Sequence, residues 1–381
     1  MVLGFTGFAA NAVIGFLSII FLVFGADKVV EKMQGVAKAF GVSESVIAVS
    51  IVSLGTSLPE LVQHVVGSLR IVTEFGWLES GITSINCTSA ANTYCDISSY
   101  VLGNNIGSDV IQQTLVLGLV ILTAAWMKGN KEFRFSKKFL LRDYAPMMGT
   151  TLLTLILAWD GTLSRIDGGI LLSFFAGYMY YQYTKRTEKL ERQGDGEPSQ
   201  KPYLDLIIGF LLMGVVIGSA DIFLRVVEIG IAATGLSGSM IGVIIGGVVS
   251  ALPEMTTAIQ GLRQGAEGIS LGTLIGSNIL NPLLAIGAGA YISTYAVPRP
   301  LVLWDLPMET ITAAVLLVYL LNKNRIGNVL SRPAKAAGMT GLAERFEAME
   351  DRTLTLWGSA LLILMFVVYV VVRWTVFPAD F

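Results

Sequence analysis

Two stretches decide the reading of this chain: Ser53-Leu54-Gly55-Thr56-Ser57-Leu58-Pro59-Glu60 and Gly247-Val248-Val249-Ser250-Ala251-Leu252-Pro253-Glu254. Each sets a proline and a glutamate inside a long apolar run. A carboxylate at the centre of a bilayer costs at least about 2.5 kcal/mol, and more when unpaired. The neighbouring spans lack basic residues to pair with Glu60 and Glu254, so a bound cation or proton is the expected partner. Each proline removes an N–H donor and frees a carbonyl about one turn earlier. Freed carbonyls are tolerated at this depth only when buried or facing a polar cavity. Ser53, Thr56, Ser57 and Glu60 fall at offsets that share one helical face. The face offers hydroxyls, carbonyls and one carboxylate. An oxygen-only set of this kind suits sodium or calcium rather than zinc or copper.

The two stretches belong to a longer internal match. Ile14-Gly15-Phe16-Leu17 corresponds to Ile208-Gly209-Phe210-Leu211, and Ala26-Asp27 to Ala220-Asp221. Gly41, Ser43 and Ser45 correspond to Gly235, Ser237 and Ser239, and Gly67 to Gly261. The first half then carries an insertion that holds Cys87 and Cys95. The match resumes with Gly103-Asn104-Asn105-Ile106-Gly107-Ser108-Asp109-Val110-Ile111-Gln112 against Gly272-Thr273-Leu274-Ile275-Gly276-Ser277-Asn278-Ile279-Leu280-Asn281. Ser108 and Gln112 share a face, as do Ser277 and Asn281, and both pairs offer further oxygens. Gly103 and Gly107 read first as close-packing positions.

Composition sets the solvent. The 381 residues are 53% hydrophobic and only 14% charged, against about 25% charged in soluble domains, and the mean hydropathy is +0.67. The chain reads as an all-α integral membrane protein. Ten hydrophobic helices are expected, at roughly 6–26, 44–69, 98–126, 140–159, 167–184, 203–227, 239–262, 270–292, 301–322 and 353–376. Five per half is an odd number, so the second half must cross the membrane inverted. Inverted repeats mark transporters, with the site at the midplane between repeats. The expected organisation is a first repeat at 1–184, a polar linker at 185–202 and a second repeat at 203–381. The first apolar run recurs later and lacks a basic leader, so it reads as structure rather than as a signal peptide.

The loops carry the orientation. Those between spans 3 and 4, 5 and 6, and 9 and 10 hold seventeen of the twenty-six Lys and Arg residues. The positive-inside rule places these loops in the cytoplasm and both termini outside. A cell-membrane location follows as the expectation. The cysteine-bearing loop then faces an oxidising exterior, where a Cys87–Cys95 disulfide is expected. A net charge of −2 says little about partners beyond the lipid bilayer, and no nucleic-acid partner is expected. His64 is the only imidazole, so a cysteine–histidine metal cluster is not expected and a Ser-His-Asp triad could use His64 alone. No enzyme activity and no resident cofactor are expected. His64 stands one turn from Glu60 and reads as a proton partner or as a hydrogen-bonded structural histidine. Asp109 reads as an extra ligand or as a bond between helices. Asp27 and Asp221 are expected at helix ends, with an interfacial or gating role.

Gly55-Thr56-Ser57-Leu58-Pro59-Glu60, Ala251-Leu252-Pro253-Glu254 and the two Gly-Ser motifs resemble the alpha-repeats of the cation/calcium exchanger superfamily, in particular its sodium/calcium exchangers. The resemblance implies alternating access, with Na⁺ and Ca²⁺ competing as transported ions for one central cluster. The positions it implies as ligands are Ser53 and Gly247 through backbone carbonyls, with Thr56, Ser57, Glu60, Ser108, Ser250, Glu254 and Ser277. Gln112 stands where an Asn is usual, Ala251 where a hydroxyl residue is usual, and Asn281 where some members carry Asp. An Asn at 281 resembles the potassium-independent members. These departures bear on ion stoichiometry more than on fold. Two other functions remain open at this level. One is a proton-coupled cation antiporter on the same scaffold. The other is a passive cation channel or membrane scaffold, against which the repeated central acids argue.

Overall fold

The computed structural model describes residues 8–39, 57–76, 87, 93–128, 132–135, 137–186, 199–263, 267–347 and 353–381. Helices dominate, and six of them are long and apolar enough to cross a membrane: Thr93–Met127, Pro202–Ile231, Gly238–Thr256, Leu274–Ile292, Leu301–Ala336 and Leu356–Val376. Ala10–Gly25 and Ala145–Leu157 are shorter apolar helices. The chain is an all-α integral membrane protein, and its exposed side chains agree. Phe16, Phe21, Phe24, Phe210 and Leu211 all point outward from their helices, as hydrocarbon allows and water does not.

In chain order the helices are α1 (Phe8–Ala39), α2 (Leu58–Phe75), α3 (residues 93–128), α4 (137–157), α5 (Arg165–Arg186), α6 (Pro202–Thr234), α7 (238–263), α8 (267–292), α9 (301–336), the short α10 (Thr340–Glu347) and α11 (Leu356–Val376). Five of them contain a stretch of wider π-helical turn: Gln112–Val116 in α3, Leu140–Tyr144 in α4, Gly242–Gly246 in α7, Asn281–Ile286 in α8 and Leu301–Asp305 at the start of α9. Two short strand pairs join loops. β1 (Glu132–Arg134) pairs antiparallel with β4 (Thr353–Thr355), and β2 (Thr162–Leu163) with β3 (Tyr295–Ala296).

Helix directions follow from which residues meet. A Cβ on Gly15 would strike Val226, and one on Gly25 would strike Val216, so α1 and α6 run antiparallel along an extended contact. Gly103 meets Ser239, and Gly107 meets Val243, so α3 and α7 run parallel. Gly168 meets Tyr291, and Leu171 meets Gly287, so α5 and α8 run antiparallel.

The α3–α7 seam is the tightest packing near the site. A Cβ on Gly107 would stand 2.6 Å from the Val243 Cα, and one on Gly242 would stand 2.6 Å from the Tyr100 carbonyl oxygen. Both clashes are with backbone, so no rotamer change relieves them. The Gly103–Gly107 spacing is a packing device, as its sequence suggests. Cys87 and Cys95, the latter buried in the first turn of α3, form the expected disulfide, with Cα atoms 5.8 Å apart.

The helices differ from expectation at their ends. α1 runs to Ala39, well beyond its apolar run, whereas α9 kinks at Asn322 (φ −127°, ψ 18°), where its expected span ends, and a further helical segment continues to Ala336. Apolar content marks where the bilayer ends, whereas backbone hydrogen bonding continues into the polar sequence beyond. For the same reason Asp27 and Asp221 do not lie at helix ends. Asp27 falls within α1, and Asp221 lies within α6, facing Arg225 at 2.9 Å and Arg70 of α2 at 3.7 Å. Of the span expected at 44–69, the part before residue 57 lies outside the described residues.

Overpacking of a core commonly costs about 1–3 kcal/mol. Gly107→Ala is therefore expected to lower the unfolding temperature of the detergent-solubilised protein. Gly149→Ala, where an added Cβ meets nothing within 4 Å, is expected to leave it unchanged or raise it slightly. Thermal unfolding of the two variants side by side checks the pair.

Candidate functional site

Four helices that pack against one another carry the described candidate residues. α2 supplies Ser57 and Glu60, α3 supplies Ser108 and Gln112, α7 supplies Gly247, Ser250 and Glu254, and α8 supplies Ser277 and Asn281. All of these polar side chains are buried, and both glutamates are fully so. Ser53 and Thr56 lie outside the described residues.

Glu60 owes its place to the start of α2. Ser57 has non-helical backbone angles (φ −91°, ψ 6°), and the helix begins at Leu58 with Pro59 in its first turn. A proline is compatible there because the first N–H groups of a helix have no acceptor within it. Glu60 thus sits in the first turn of a helix buried in the bundle. The positive end of the helix dipole favours negative charge at that point. Neither Glu60 carboxylate oxygen, nor the Ser57 hydroxyl, has a hydrogen-bond partner of normal geometry among the described residues. The Ser250 hydroxyl lies beside the Glu60 carboxyl and 3.5 Å from both the Asn104 side-chain oxygen and the Gly247 carbonyl. Buried acceptors without donors are rare, and each calls for an explanation.

On α7, Pro253 stands inside the helix, where it removes the bond to the carbonyl one turn earlier. Glu254 follows it, one turn after Ser250. Ala251 is buried at the position where the resemblance implies a hydroxyl.

α3 and α8 are joined through Gln112. Its amide nitrogen donates to the Ser108 hydroxyl at 3.0 Å. Its oxygen accepts from the Ser277 hydroxyl at 2.5 Å and from the Asn278 amide at 2.9 Å. Asn278 in turn accepts from Gln113 at 2.9 Å. The extra methylene of Gln over Asn lets this side chain cross between repeat-equivalent positions. In the structure its oxygen is occupied by protein donors. Asn281 donates to Asp109 at 2.8 Å and leaves its own carbonyl oxygen without a partner among the described residues. Asp109 therefore does join neighbouring helices.

His64 is held structurally. Its Nδ1 lies 3.1 Å from the Tyr295 hydroxyl, which is also 2.6 Å from the Ser68 hydroxyl. Ser68 donates to the Gly289 carbonyl at 2.9 Å. The group fastens α2 to the end of α8.

The apolar-run reading overlooked three buried charged groups. Asp305 and Glu309 lie on α9 and Arg373 on α11, none more than 2% exposed. Arg373 pairs with Asp305 at 3.1 Å and with Asp380 at 3.8 Å. Tyr369 donates to Asp305 at 2.7 Å. The buried arginine thus has its own acidic partners, and Glu60 is not among them. The signal for Asp305 and Glu309 was present in the sequence, since both are acids inside an apolar span and carry the same cost that singled out Glu60. Among the described residues, no group of three or more His, Cys, Asp or Glu could hold a metal ion. The candidate centre rests instead on two carboxylates with hydroxyl, amide and carbonyl oxygens.

Such a centre, buried between helices of a membrane bundle, defines a cation-handling membrane protein. The sequence profile described as sodium/calcium exchanger protein matches residues 11–184 and again residues 205–375. The chain belongs to the sodium/calcium exchanger family. It is 26% identical to the inner membrane protein YrbG of Escherichia coli over 294 residues, which cover 73% of this chain and 78% of YrbG. It is 23% identical to the sodium/calcium exchanger MaX1 of Methanosarcina acetivorans over 351 residues, covering 81% of this chain and 91% of that one. Among solved structures it is similar in fold to the H⁺/Ca²⁺ exchanger CAX (TM-score 0.69, 17% identity, 95% of this chain and 82% of that chain). It is also similar in fold to the sodium-calcium exchanger NCX_Mj (TM-score 0.55, 20% identity, 96% and 99%).

Gln112→Asn is expected to shorten the bridge and break the links to Ser277 and Asn278. At about 1 kcal/mol net per hydrogen bond, the ion-free protein should unfold a few degrees lower. The added stabilisation by Ca²⁺ should grow, because fewer protein donors compete for the site oxygens. Thermal unfolding with and without Ca²⁺ measures both effects.

Proposed function

We propose that this protein is a secondary antiporter exchanging Ca²⁺ for Na⁺ by alternating access. In this reading Glu60 and Glu254 are the paired Ca²⁺ ligands. Ser53, Thr56, Ser57, Ser108, Gln112, Gly247, Ser250, Ser277 and Asn281 surround them. The observation that carries the reading is the full burial of two acids, Glu60 and Glu254, at equivalent places in the two halves. Ca²⁺ takes six to eight oxygens with carboxylates among them. One Ca²⁺ or two Na⁺ would neutralise the pair.

The same proposal holds ten spans in two inverted repeats, 1–184 and 203–381, joined by a cytoplasmic linker at 185–202. The family profile matches the chain twice over nearly these bounds. The equivalent helices α1 and α6 run antiparallel, as inversion requires. Equivalent positions Gln112 and Asn281 both open a π-helical turn. Loop contacts also fit strict alternation across a membrane. β1 and β4 join the loops after α3 and before α11, and β2 and β3 join the loops after α4 and after α8. Lys32 of α1 meets Asp205 at the start of α6 at 2.8 Å. Asp380 accepts from the backbone N–H of Ser239 at 3.0 Å, and its carbonyl accepts from Arg299 at 3.0 Å. With the basic loops inside, both termini lie outside, in the cell membrane. A second reading, proton coupling, rests on the same pair, since two carboxylates take two protons as readily as one Ca²⁺.

Glu60→Gln and Glu254→Gln are each expected to reduce ⁴⁵Ca²⁺ uptake into proteoliposomes to background under an imposed Na⁺ gradient, with the protein still monodisperse. Normal flux in either variant sinks the proposal. Uptake driven by a pH gradient and indifferent to Na⁺ selects the proton reading.

The missing hydroxyl at Ala251 weakens one Na⁺ position without changing charge. A two-for-one exchange that moves no net charge is the expected outcome. Each uncompensated charge would be worth about 2.3 kcal/mol per 100 mV. An imposed potential should therefore leave wild-type flux unaltered, and Ala251→Ser should strengthen Na⁺ competition against Ca²⁺. Voltage-dependent wild-type flux, together with no effect of the serine, contradicts this.

A further inference from the structure

Glu309 is the buried acid that the exchange centre does not use. It lies in the first turn of the α-helical part of α9, 2% exposed, and its Oε1 has no hydrogen-bond partner among the described residues. α9 packs against α3, and Glu309 is near enough to Asp109 for their charges to interact. Asp109 is 1% exposed and interacts in the same way with Glu60. Asp305, the other acid near Glu309, is already matched by Arg373 at 3.1 Å. Among the described residues, Asp109 and Glu309 form salt bridges with no basic side chain.

Neutral polar side chains one turn along the same helices, and Asn281 across from Asp109, are also buried and incompletely partnered. The Asn281 amide donates to Asp109, so its unpartnered carbonyl oxygen is held beside that carboxylate. Asn105, one turn before Asp109 on α3, is fully buried with neither amide atom partnered among the described residues. Thr312, one turn after Glu309 on α9, is 1% exposed with an unpartnered hydroxyl.

We propose that Asp109 and Glu309, completed by the Asn281 carbonyl oxygen, form a second cation site beside the exchange centre, and that it holds a resident monovalent cation. Asn105 and Thr312 supply the remaining oxygens. The oxygens left to ligate are the second Asp109 oxygen, Glu309 Oε1 and those of Asn281, Asn105 and Thr312, five in all and fewer than the six to eight that Ca²⁺ demands. A monovalent ion also adds less repulsion toward a Ca²⁺ held at Glu60. The inference rests on the exchanger reading only for what fills the neighbouring centre.

Equilibrium binding of ²²Na⁺ to the full chain in lipid nanodiscs, with and without saturating Ca²⁺, tests it. One Na⁺ per chain is expected to remain on the wild type in Ca²⁺. It should be lost in Glu309→Gln and in Asp109→Asn, and kept in Glu309→Asp, which preserves the charge. Glu60→Gln should lose Ca²⁺ binding and keep this Na⁺. The proposal is overturned if Ca²⁺ strips all Na⁺ from the wild type, if both neutral variants retain the ion, or if two Ca²⁺ bind per chain. Should Glu309→Gln fail to fold, Asp109→Asn decides the matter alone. A wild type that bound no Ca²⁺ would end the exchanger reading, and the loss of one Na⁺ in the variants would still be measurable.

Discussion

A carboxylate removed from water must find positive charge or donors close by, and in the interior of a membrane bundle neither is abundant. The Glu60 carboxylate meets this constraint only in part, through the first turn of α2 and a nearby hydroxyl. The surrounding architecture can be understood as accommodating that deficit. Helix starts, a proline within α7 and wide turns in α3 and α8 all bring backbone and side-chain oxygens to one place. Regular helices would keep their carbonyls to themselves. What is expensive in an empty bundle becomes favourable once a cation is present, and this ties the stability of the centre to its occupant.

Close packing makes the arrangement possible. The α3–α7 contact is backbone against backbone at Gly103, Gly107, Gly242 and Gly247. Without Cβ atoms between them, the two helices approach closely enough for Ser250 and Asn104 to meet at 3.5 Å. Elsewhere polar groups satisfy one another instead of an ion. Arg373, Asp305, Tyr369 and Asp380 form a closed set, and His64, Tyr295 and Ser68 bond to one another, with His64 Nε2 left without a partner among the described residues. The bundle thus holds two kinds of buried polar cluster, those complete in protein alone and those left open.

Much of this was legible in the sequence, for physical reasons. Apolar runs must match the hydrocarbon thickness, so an all-α membrane bundle could be read from hydropathy. The repeated Leu-Pro-Glu and Gly-Ser motifs marked the four helices that converge. The Cys87–Cys95 pairing was read correctly, although Cys95 lies inside α3 rather than in the loop before it. Three features were not legible. The continuation of α1 past its apolar run depends on helix propensity in polar sequence, to which hydropathy is blind. The direction in which Gln112 points depends on the gap between α3 and α8, which no spacing along one helix reveals. The acids of α9 lie outside the repeated motifs and drew no notice, although Asp305 and Glu309 obey the same rule as Glu60.

The wide turns at Gln112–Val116 and Asn281–Ile286 have a bearing on how relatives are aligned. A π-helical turn takes in more residues than an α-helical one, and each residue added to a helix rotates everything beyond it by about 100°. The two ends of α3, and of α8, therefore follow different registers. Gap-free matching of these helices to a relative built from regular turns would superpose side chains on one side of the turn and misassign facing positions on the other. A one-residue gap placed at Gln112 or Asn281 is the structurally correct indel, and site comparisons across the family depend on where that gap is drawn.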